Sequence, residues 1–323
     1  MNPFEKTAAG TVSDWGEERL IDAIREWLGT SNRPPPEGIG DDCAVFSPTP
    51  GSRSLVTTDP IVWKRHFDET VTPEQAAAKV LKRNLSDIAA MGGKPRIAVI
   101  SLLLAPKTSI DWLKRFYTGL RECALKYDVS INGGDVSEAE CLAASLTLIG
   151  ETISNHLLTR NGALPGDHLF VCGDLGGSLL GGHTDFVPRL KEGQWLAQRP
   201  EVTAAIDISD GIAKEIRLIL PPGCEAEIVP NAIPVSSAAK KMAKKSGKDP
   251  LFHAFSDGED YELLFAVKPE ASDQLSKSWR QELSVPLHKI GRIQRADDPA
   301  SKTFLRGLPA ELAAELRPYE HFR

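Results

Sequence analysis

Six aspartates carry the first chemical signal in this chain: Asp42, Asp59, Asp87, Asp135, Asp207 and Asp210. Each stands where an apolar segment meets a small-residue turn. The settings are Gly40-Asp41-Asp42, Thr57-Thr58-Asp59, Asn84-Leu85-Ser86-Asp87 ahead of Gly92-Gly93, Gly133-Gly134-Asp135, and Asp207-Ile208-Ser209-Asp210-Gly211. Carboxylate oxygens are hard donors. Magnesium prefers them, keeps several of its waters, and is usually held through a few carboxylates plus substrate phosphates. A single aspartate in a turn is ordinarily a cap or an Asx-turn. Six in one kind of setting read better as a divalent-metal and phosphate site gathered from distant parts of the chain. Asp41 reads as structural, or as support for Asp42.

Glycine turns add a weaker signal. Gly133-Gly134-Asp135 and Gly173-Asp174-Leu175-Gly176-Gly177-Ser178 can present backbone N–H groups to phosphate, the second at the start of a helix. Such turns are common between strand and helix, so neither is diagnostic alone. The Walker A pattern, the G-x-S-x-G elbow and His/Cys spacing for zinc are all missing from the sequence, which disfavours a P-loop NTPase, an α/β-hydrolase and a zinc enzyme. His66, in the loop after Asp59, is a candidate substrate contact, although a loop histidine is more often structural. Arg160 is ordinarily a surface residue, yet its forked donors suit an anionic phosphate. Glu259 and Asp260 precede an apolar strand and read equally well as turn residues.

These groups need elements to position them. Leu20, Ile21, Ile24, Trp27 and Leu28 form a helical stripe. A long helix is predicted from Pro73, with Ala76, Val80, Leu81, Leu85, Ile88 and Ala89 on its buried face and Asp87 near its end. Strands are predicted at Val45, at 54–58 ending on Asp59, at Ile97–Leu104, at Val129–Asn132 and at Leu142–Ile149, with a helix over Ile110–Tyr127. Residues 1–15 are expected to be loosely held, and 60–72 irregular. This order describes an α+β half with a mixed or antiparallel sheet. The turn-rich stretch around Arg160 opens a second half, with strands predicted at His168–Cys172, Ala204–Asp207, Tyr261–Val267 and Leu287–Ile293. The domains are drawn at 1–150 and 151–323.

Composition agrees with a globular chain of two domains: 323 residues, 41% hydrophobic, 25% charged, net charge −6. A mildly acidic protein is a poor candidate for sequence-independent nucleic-acid binding. The longest apolar run is too short to span a bilayer, and the first residues lack a signal-peptide pattern. Five widely spaced cysteines read as buried free thiols in a reducing cytoplasm.

Taken in order, the motifs resemble the thiamine-monophosphate kinase family, over nearly the whole chain. The carrying segments are Gly38-Ile39-Gly40-Asp41-Asp42, Thr57-Thr58-Asp59 with His66-Phe67, Asn84-Leu85-Ser86-Asp87-Ile88-Ala89-Ala90-Met91-Gly92, Gly133-Gly134-Asp135, Arg160, Asp207-Ile208-Ser209-Asp210-Gly211, Gly258-Glu259-Asp260-Tyr261-Glu262-Leu263 and Tyr319-Glu320-His321-Phe322. The resemblance implies an α+β, two-domain aminoimidazole ribonucleotide synthetase-like fold. It implies ATP-dependent phosphorylation of thiamine monophosphate to thiamine diphosphate, by in-line transfer and with no general base. It implies several Mg2+ ions held by Asp42, Thr57, Thr58, Asp59, Asp87, Asp135, Asp207 and Asp210, with Asp87 and Asp210 acting through metal. Gly134, Asp135, Arg160 and Ser209 match ATP-contacting positions, and His66, Glu259 and Leu316 match acceptor-contacting ones. A cytoplasmic homodimer is also implied, with the N-terminal domain binding ATP and metal and the C-terminal domain completing the site.

The chain departs from the family at its acceptor end. Trp63 stands where an acidic residue is usual, and Val136 and Ser137 replace threonines. Asp257 replaces a glycine, and Leu316 falls near the place of a tryptophan. Two other readings therefore stay open: the same metal–ATP core acting on another phosphorylated acceptor, or a non-catalytic nucleotide-binding scaffold.

Overall fold

The computed structural model describes residues 1–7, 9–40, 42–297 and 304–316. Asp41 and the Tyr319-Glu320-His321-Phe322 motif lie outside the described residues. The chain divides into two compact units, Met1–Ile88 with Lys94–Thr152, and Ala89–Gly93 with Ile153–Arg323.

The first unit runs α1 (Val12–Trp15), α2 (Glu17–Leu28), β1 (Ser54–Val62), α3 (Pro73–Ala90), β2 (Gly93–Leu104), α4 (Ile110–Lys126), β3 (Ser130–Glu138) and β4 (Ala143–Thr152). Its four strands lie in the order β1-β4-β2-β3. β1 and β4 are antiparallel and β2 and β3 parallel, so the sheet is mixed. Helix α3 starts at Pro73, whose missing N–H costs nothing in a first turn. Its apolar residues fall on one face, and Ala76, Val80, Leu81 and Leu85 are fully buried. Ser109 caps α4 by accepting the Trp112 N–H. The rings of Phe67, Trp112 and Phe116 then stack in sequence. A Cβ on Gly119 would lie 2.5 Å from Glu74 Cα, so only glycine lets α4 approach the start of α3 this closely.

Several expectations are revised here. Residues 1–15 are held, not loose: Phe4 and Thr11 bridge to Thr108 and Ser109, and Thr11 is buried. Asp59 lies inside β1 and Gly133-Gly134-Asp135 inside β3, whereas both were expected to follow strands. An Asp-Pro pair is tolerated within β1 because β1 is an edge strand. Residues 43–46 form no strand, and Val45 is exposed. Only Cys123 and Cys172 among the five free thiols are buried.

The second unit runs β5 (His168–Cys172), α5 (Gly182–Asp185), α6 (Leu190–Leu196), β6 (Val202–Asp207), α7 (Ile212–Ile219), β7 (Cys224–Ile228), α8 (Ser237–Ser246), α9 (Pro250–Ser256), β8 (Leu263–Val267), α10 (Ser272–Glu282), β9 (Leu287–Arg295), β10 (Leu305–Arg306) and α11 (Ala310–Glu315). The six strands lie in the order β10-β7-β9-β5-β8-β6. All pairs are antiparallel except β10 with β7. Strand alternation feeds two cores. Leu169, Val171, Ile206 and Leu264 join Ile212 and Ile216 in one, while Phe170, Cys172, Ala205 and Phe265 join Trp195 and Trp279 in the other. Both faces of the sheet are thus covered, which is why β8 is apolar at every position. Among the described residues no helix is long and apolar enough to cross a membrane.

Phe265 is fully buried and stacks on both Phe170 and Trp279. Phe265→Ala should cost about 3–5 kcal/mol of unfolding free energy, read by denaturant titration. A loss under about 1 kcal/mol would mean that this core collapses around the cavity.

Candidate active site

In β1 the side chains alternate. Leu55, Thr57, Asp59 and Ile61 turn to one face, Val56, Thr58 and Pro60 to the other. The first face meets α3. There the Thr57 hydroxyl donates to Asp87 Oδ2. Arg83, one helical turn before Asp87, places Nη2 3.0 Å from Asp59 Oδ1. Thr57, Asp59 and Asp87 are therefore brought together. Thr58 is not with them. Its hydroxyl donates to the Leu146 carbonyl at 3.2 Å and accepts from the Thr147 hydroxyl at 3.1 Å, on the far side of the strand. Period-two geometry puts adjacent side chains on opposite faces, so Thr58 is not gathered with Thr57, Asp59 and Asp87.

A second group lines a cavity of about 450 Å³ in the same unit: Asp42, Gly134 and Asp135, with Ile100 and Tyr117. Gly134 is glycine for a steric reason, since a Cβ there would lie 2.0 Å from the Ile100 carbonyl oxygen. Ser137 Oγ donates to Asp135 Oδ2 at 2.8 Å. Tyr117 was not singled out from the sequence. It looked like one more member of the apolar stripe of α4, and burial pushes its phenol well above the usual range.

In the second unit three main-chain hydrogen bonds lace two loops together. Glu259 N–H donates to the Ser209 carbonyl at 2.7 Å, Tyr261 N–H to the Ile208 carbonyl at 2.8 Å, and Ile208 N–H to the Glu262 carbonyl at 2.8 Å. Asp207, Ser209, Asp210 and Glu259 are gathered by this lacing. Gly258 sits at φ +68°, and a Cβ on it would meet the Ser209 carbonyl at 2.8 Å. Glu259 and Tyr261 both hold φ +53°, uncommon for residues with side chains. The Asp210 carboxylate meets Lys214 Nζ at 2.5 Å, and its N–H donates to Glu215 Oε1 at 3.0 Å.

Glu215 is the residue that sequence reasoning missed. It is 2% exposed, and burial first, then the charges of Asp210 and Asp207, push its carboxyl up to about 8 against the opposing Asp210 N–H. The available signal was an acidic residue on the buried face of α7, among Ile212, Ala213, Ile216 and Ile219.

The glycine turn at 173–178 does not offer its amides to a ligand. Gly176 N–H donates to Asp260 Oδ1 at 2.8 Å and Gly177 N–H to Asp257 Oδ2 at 2.9 Å. The helix expected after it is a three-residue 3-10 turn, Ser178–Leu180. The turn braces the 257–260 loop instead.

The remaining candidates have surroundings of their own. His66 Nδ1 accepts the Val62 N–H at 3.1 Å, which leaves the proton of the neutral ring on Nε2. Arg160 is exposed on the segment between β4 and β5. Leu316 caps α11 and lies 9% exposed in the core with Leu312 and Ile212. Trp63 packs edge-on against Phe67 and Phe4, an aromatic cluster that accounts for its presence without a ligand.

Glu215 tests the lacing directly. Glu215→Gln keeps an acceptor for the Asp210 N–H and should stay within about 1 kcal/mol of the parent, whereas Glu215→Ala should lose about 1–3 kcal/mol in denaturant titration. Equal stabilities would remove Glu215 as a support of the Asp210 turn.

Comparison with known proteins finds relatives over most of the chain. Residues 40–152 match the family model described as AIR synthase related protein, N-terminal domain. The thiamine-monophosphate kinase of Rhodopirellula baltica is 40% identical over 267 residues, 79% of this chain and 83% of that protein. The crystal structure of the thiamine-monophosphate kinase from Stenotrophomonas maltophilia K279a superposes with a TM-score of 0.73 at 29% identity, covering 89% of this chain and 96% of that one. A structure described as AaThiL complexed with AMPPCP and TMP gives 0.72 at 28% identity, covering 96% and 98%. With oxygen-donor groups standing on both units and similarity running along most of its length, the chain belongs to the thiamine-monophosphate kinase family.

Proposed function

We propose that this protein transfers the γ-phosphoryl group of ATP to thiamine monophosphate, giving thiamine diphosphate. The observation that carries this reading is the spatial gathering of the oxygen donors in a chain of this family: Thr57, Asp59 and Asp87; Asp42 and Asp135 beside Gly134; and Asp207 and Asp210 beside Ser209. The acceptor is itself a phosphate with a second pKa of about 6, so it is largely dianionic and nucleophilic at neutral pH. No side chain needs to act as general base. The problem is electrostatic, because two anions must be brought together in line.

Magnesium fits the donors present. Among the described residues no three His, Cys, Asp or Glu side chains cluster into a ready-made metal cage. That is compatible with Mg2+, which normally takes one or two carboxylates and completes its shell with water and substrate phosphate. Asp42, Thr57, Asp59, Asp87, Asp135, Asp207 and Asp210 would hold it, and when bound it supplies charge that offsets the repulsion between the two phosphates. Gly134, Arg160 and Ser209 are assigned to ATP, with Tyr117 added from the cavity lining. His66 and Glu259 are assigned to the acceptor. The exposed Arg160 offers a fork of donors, and the His66 Nε2–H one more, to phosphate oxygens.

We also infer a homodimer built on the outer face of the four-stranded sheet. Val56 is 67% exposed and Leu103 41%, and Val99 shares their face. Apolar side chains grouped on a strand face mark an interaction surface. The five free thiols are in keeping with a cytoplasmic setting.

Purified protein given ATP, thiamine monophosphate and Mg2+ should form thiamine diphosphate, and should form none without Mg2+. Asp87→Asn should abolish turnover while leaving the circular dichroism spectrum unchanged. Full activity in that variant would remove Asp87 from the site. No product from the parent, with ATP still bound, would point to another phosphorylated acceptor. Neither product nor nucleotide binding would point to a non-catalytic scaffold. Val56→Asp should shift the sedimentation coefficient to that of a monomer, and an unchanged value would place the contact elsewhere.

A further inference from the structure

The loop Asp257–Glu262 carries four carboxylates, and three of them are committed to bracing it. Asp257 accepts from His253 Nδ1 at 2.8 Å and from the Gly177 N–H at 2.9 Å. Asp260 accepts the Gly176 N–H at 2.8 Å. Glu262 is gripped by Arg189, with Nε 2.6 Å from Oε2. Ser178 Oγ adds a hydrogen bond to the Gly258 carbonyl at 2.6 Å. The fourth, Glu259, has softer company. Its Oε1 lies 3.4 Å from the Tyr261 hydroxyl, and its Oε2 lies 3.7 Å from His183 Nδ1. The Glu259 side chain keeps 23% of its surface exposed.

An aromatic pair stands beside this carboxylate. The Phe186 and Tyr261 rings stack with centroids 3.9 Å apart and planes 20° from parallel. Tyr261 is buried and Phe186 half-buried, so the pair is backed by protein on the Tyr261 side. The backbone that holds it is over-determined. Glu259 and Tyr261 both have positive φ, a conformation that for residues with side chains persists only where surroundings enforce it and that concentrates at ligand sites. Leu179 and Val187, at either end of the segment bearing His183 and Phe186, are exposed apolar residues.

We propose that Phe186 and His183 are specificity-determining residues: with Tyr261 and Glu259 they form the wall that receives the ring end of the acceptor. This rests on the kinase reading above. Thiamine monophosphate has a planar cationic thiazolium joined to an aminopyrimidine at one end and a dianionic phosphate at the other. A cation is attracted to the face of an aromatic ring and to a carboxylate. The phosphate is repelled by the same carboxylate. Glu259 therefore orients the acceptor ring-first, and Phe186 supplies the surface on which the rings lie. The His183 ring flanks one oxygen of Glu259 at 3.7 Å, and the Tyr261 hydroxyl donates to the other at 3.4 Å. The position of Phe186 four residues before the Leu190 start of α6, with Arg189 locked onto Glu262 between them, fixes the wall to the same braced loop.

The test is steady-state kinetics on Phe186→Ala and Phe186→Tyr, with each substrate varied in turn. Phe186→Ala should raise the KM for thiamine monophosphate by about tenfold while the KM for ATP and kcat stay within about twofold, and Phe186→Tyr should restore the parent value. The unchanged KM for ATP reports that the variant is folded. Direct calorimetric titration of thiamine monophosphate reads the same interaction without turnover, and should show the same weakening. An unaltered acceptor KM and affinity in Phe186→Ala, a parallel rise in the KM for ATP, or no acceptor binding to the parent would overturn the proposal. Parent protein that binds thiamine monophosphate less tightly after Phe186→Ala, yet makes no thiamine diphosphate, would uphold the wall and overturn the kinase reading instead.

Discussion

Like charges at close range are the constraint this fold must satisfy. Each carboxylate set around a phosphate-handling site repels its neighbours, and each is answered locally. Arg83 faces Asp59 and Lys214 faces Asp210. The Thr57 hydroxyl serves Asp87, and Arg189 serves Glu262. Where no cation is supplied, burial takes over: Glu215 and Asp260 both have carboxyls raised above their ordinary range, chiefly by desolvation. With its carboxyl raised to about 8, Glu215 holds a proton that does the work of a counter-ion at neutral pH. Neutralisation by protonation costs no additional side chain, and it lets acidic residues pack near Asp207 and Asp210 without a matching set of cations.

Much of the fold was legible in the sequence because its signals are periodic. The stripe of α3, the apolar run of β2 and the uninterrupted β8 each state their burial directly. What was illegible depended on partners far away along the chain. Gly133-Gly134 looked like a turn because glycine is rare inside strands; it lies inside β3, where Ile100 on the neighbouring strand leaves no room for a Cβ on Gly134. The amides of Gly176 and Gly177 looked available because the acidic loop that consumes them is some 80 residues on. Helix α6 and strand β7 are short and carry polar residues, so neither has enough periods to stand above background.

The candidate site divides along the same line. Identity of the donor residues was visible, since aspartate next to glycine or serine is a local pattern. Their orientation was not. Nothing local separates Thr57 from Thr58; the pleat of β1 does, and only once the strand is known to include both. Leu316 matches a family landmark, and a leucine following Leu312 by one helical turn is also what a core requires. At the acceptor end, Trp63 packs among aromatic neighbours, of which Phe4 is distant in the sequence.

Pro60 has a bearing on assembly. It lies in β1, at the free edge of the four-stranded sheet, beside an inward-turned Asp59. A strand edge ordinarily offers a full row of N–H and C=O groups on which another strand can grow. Proline deletes one donor from the middle of that row, and neither a copy of this chain nor a stray extended peptide can add there in continuous register. Lateral growth from the β1 edge is thereby discouraged at no expense to the interior of the sheet.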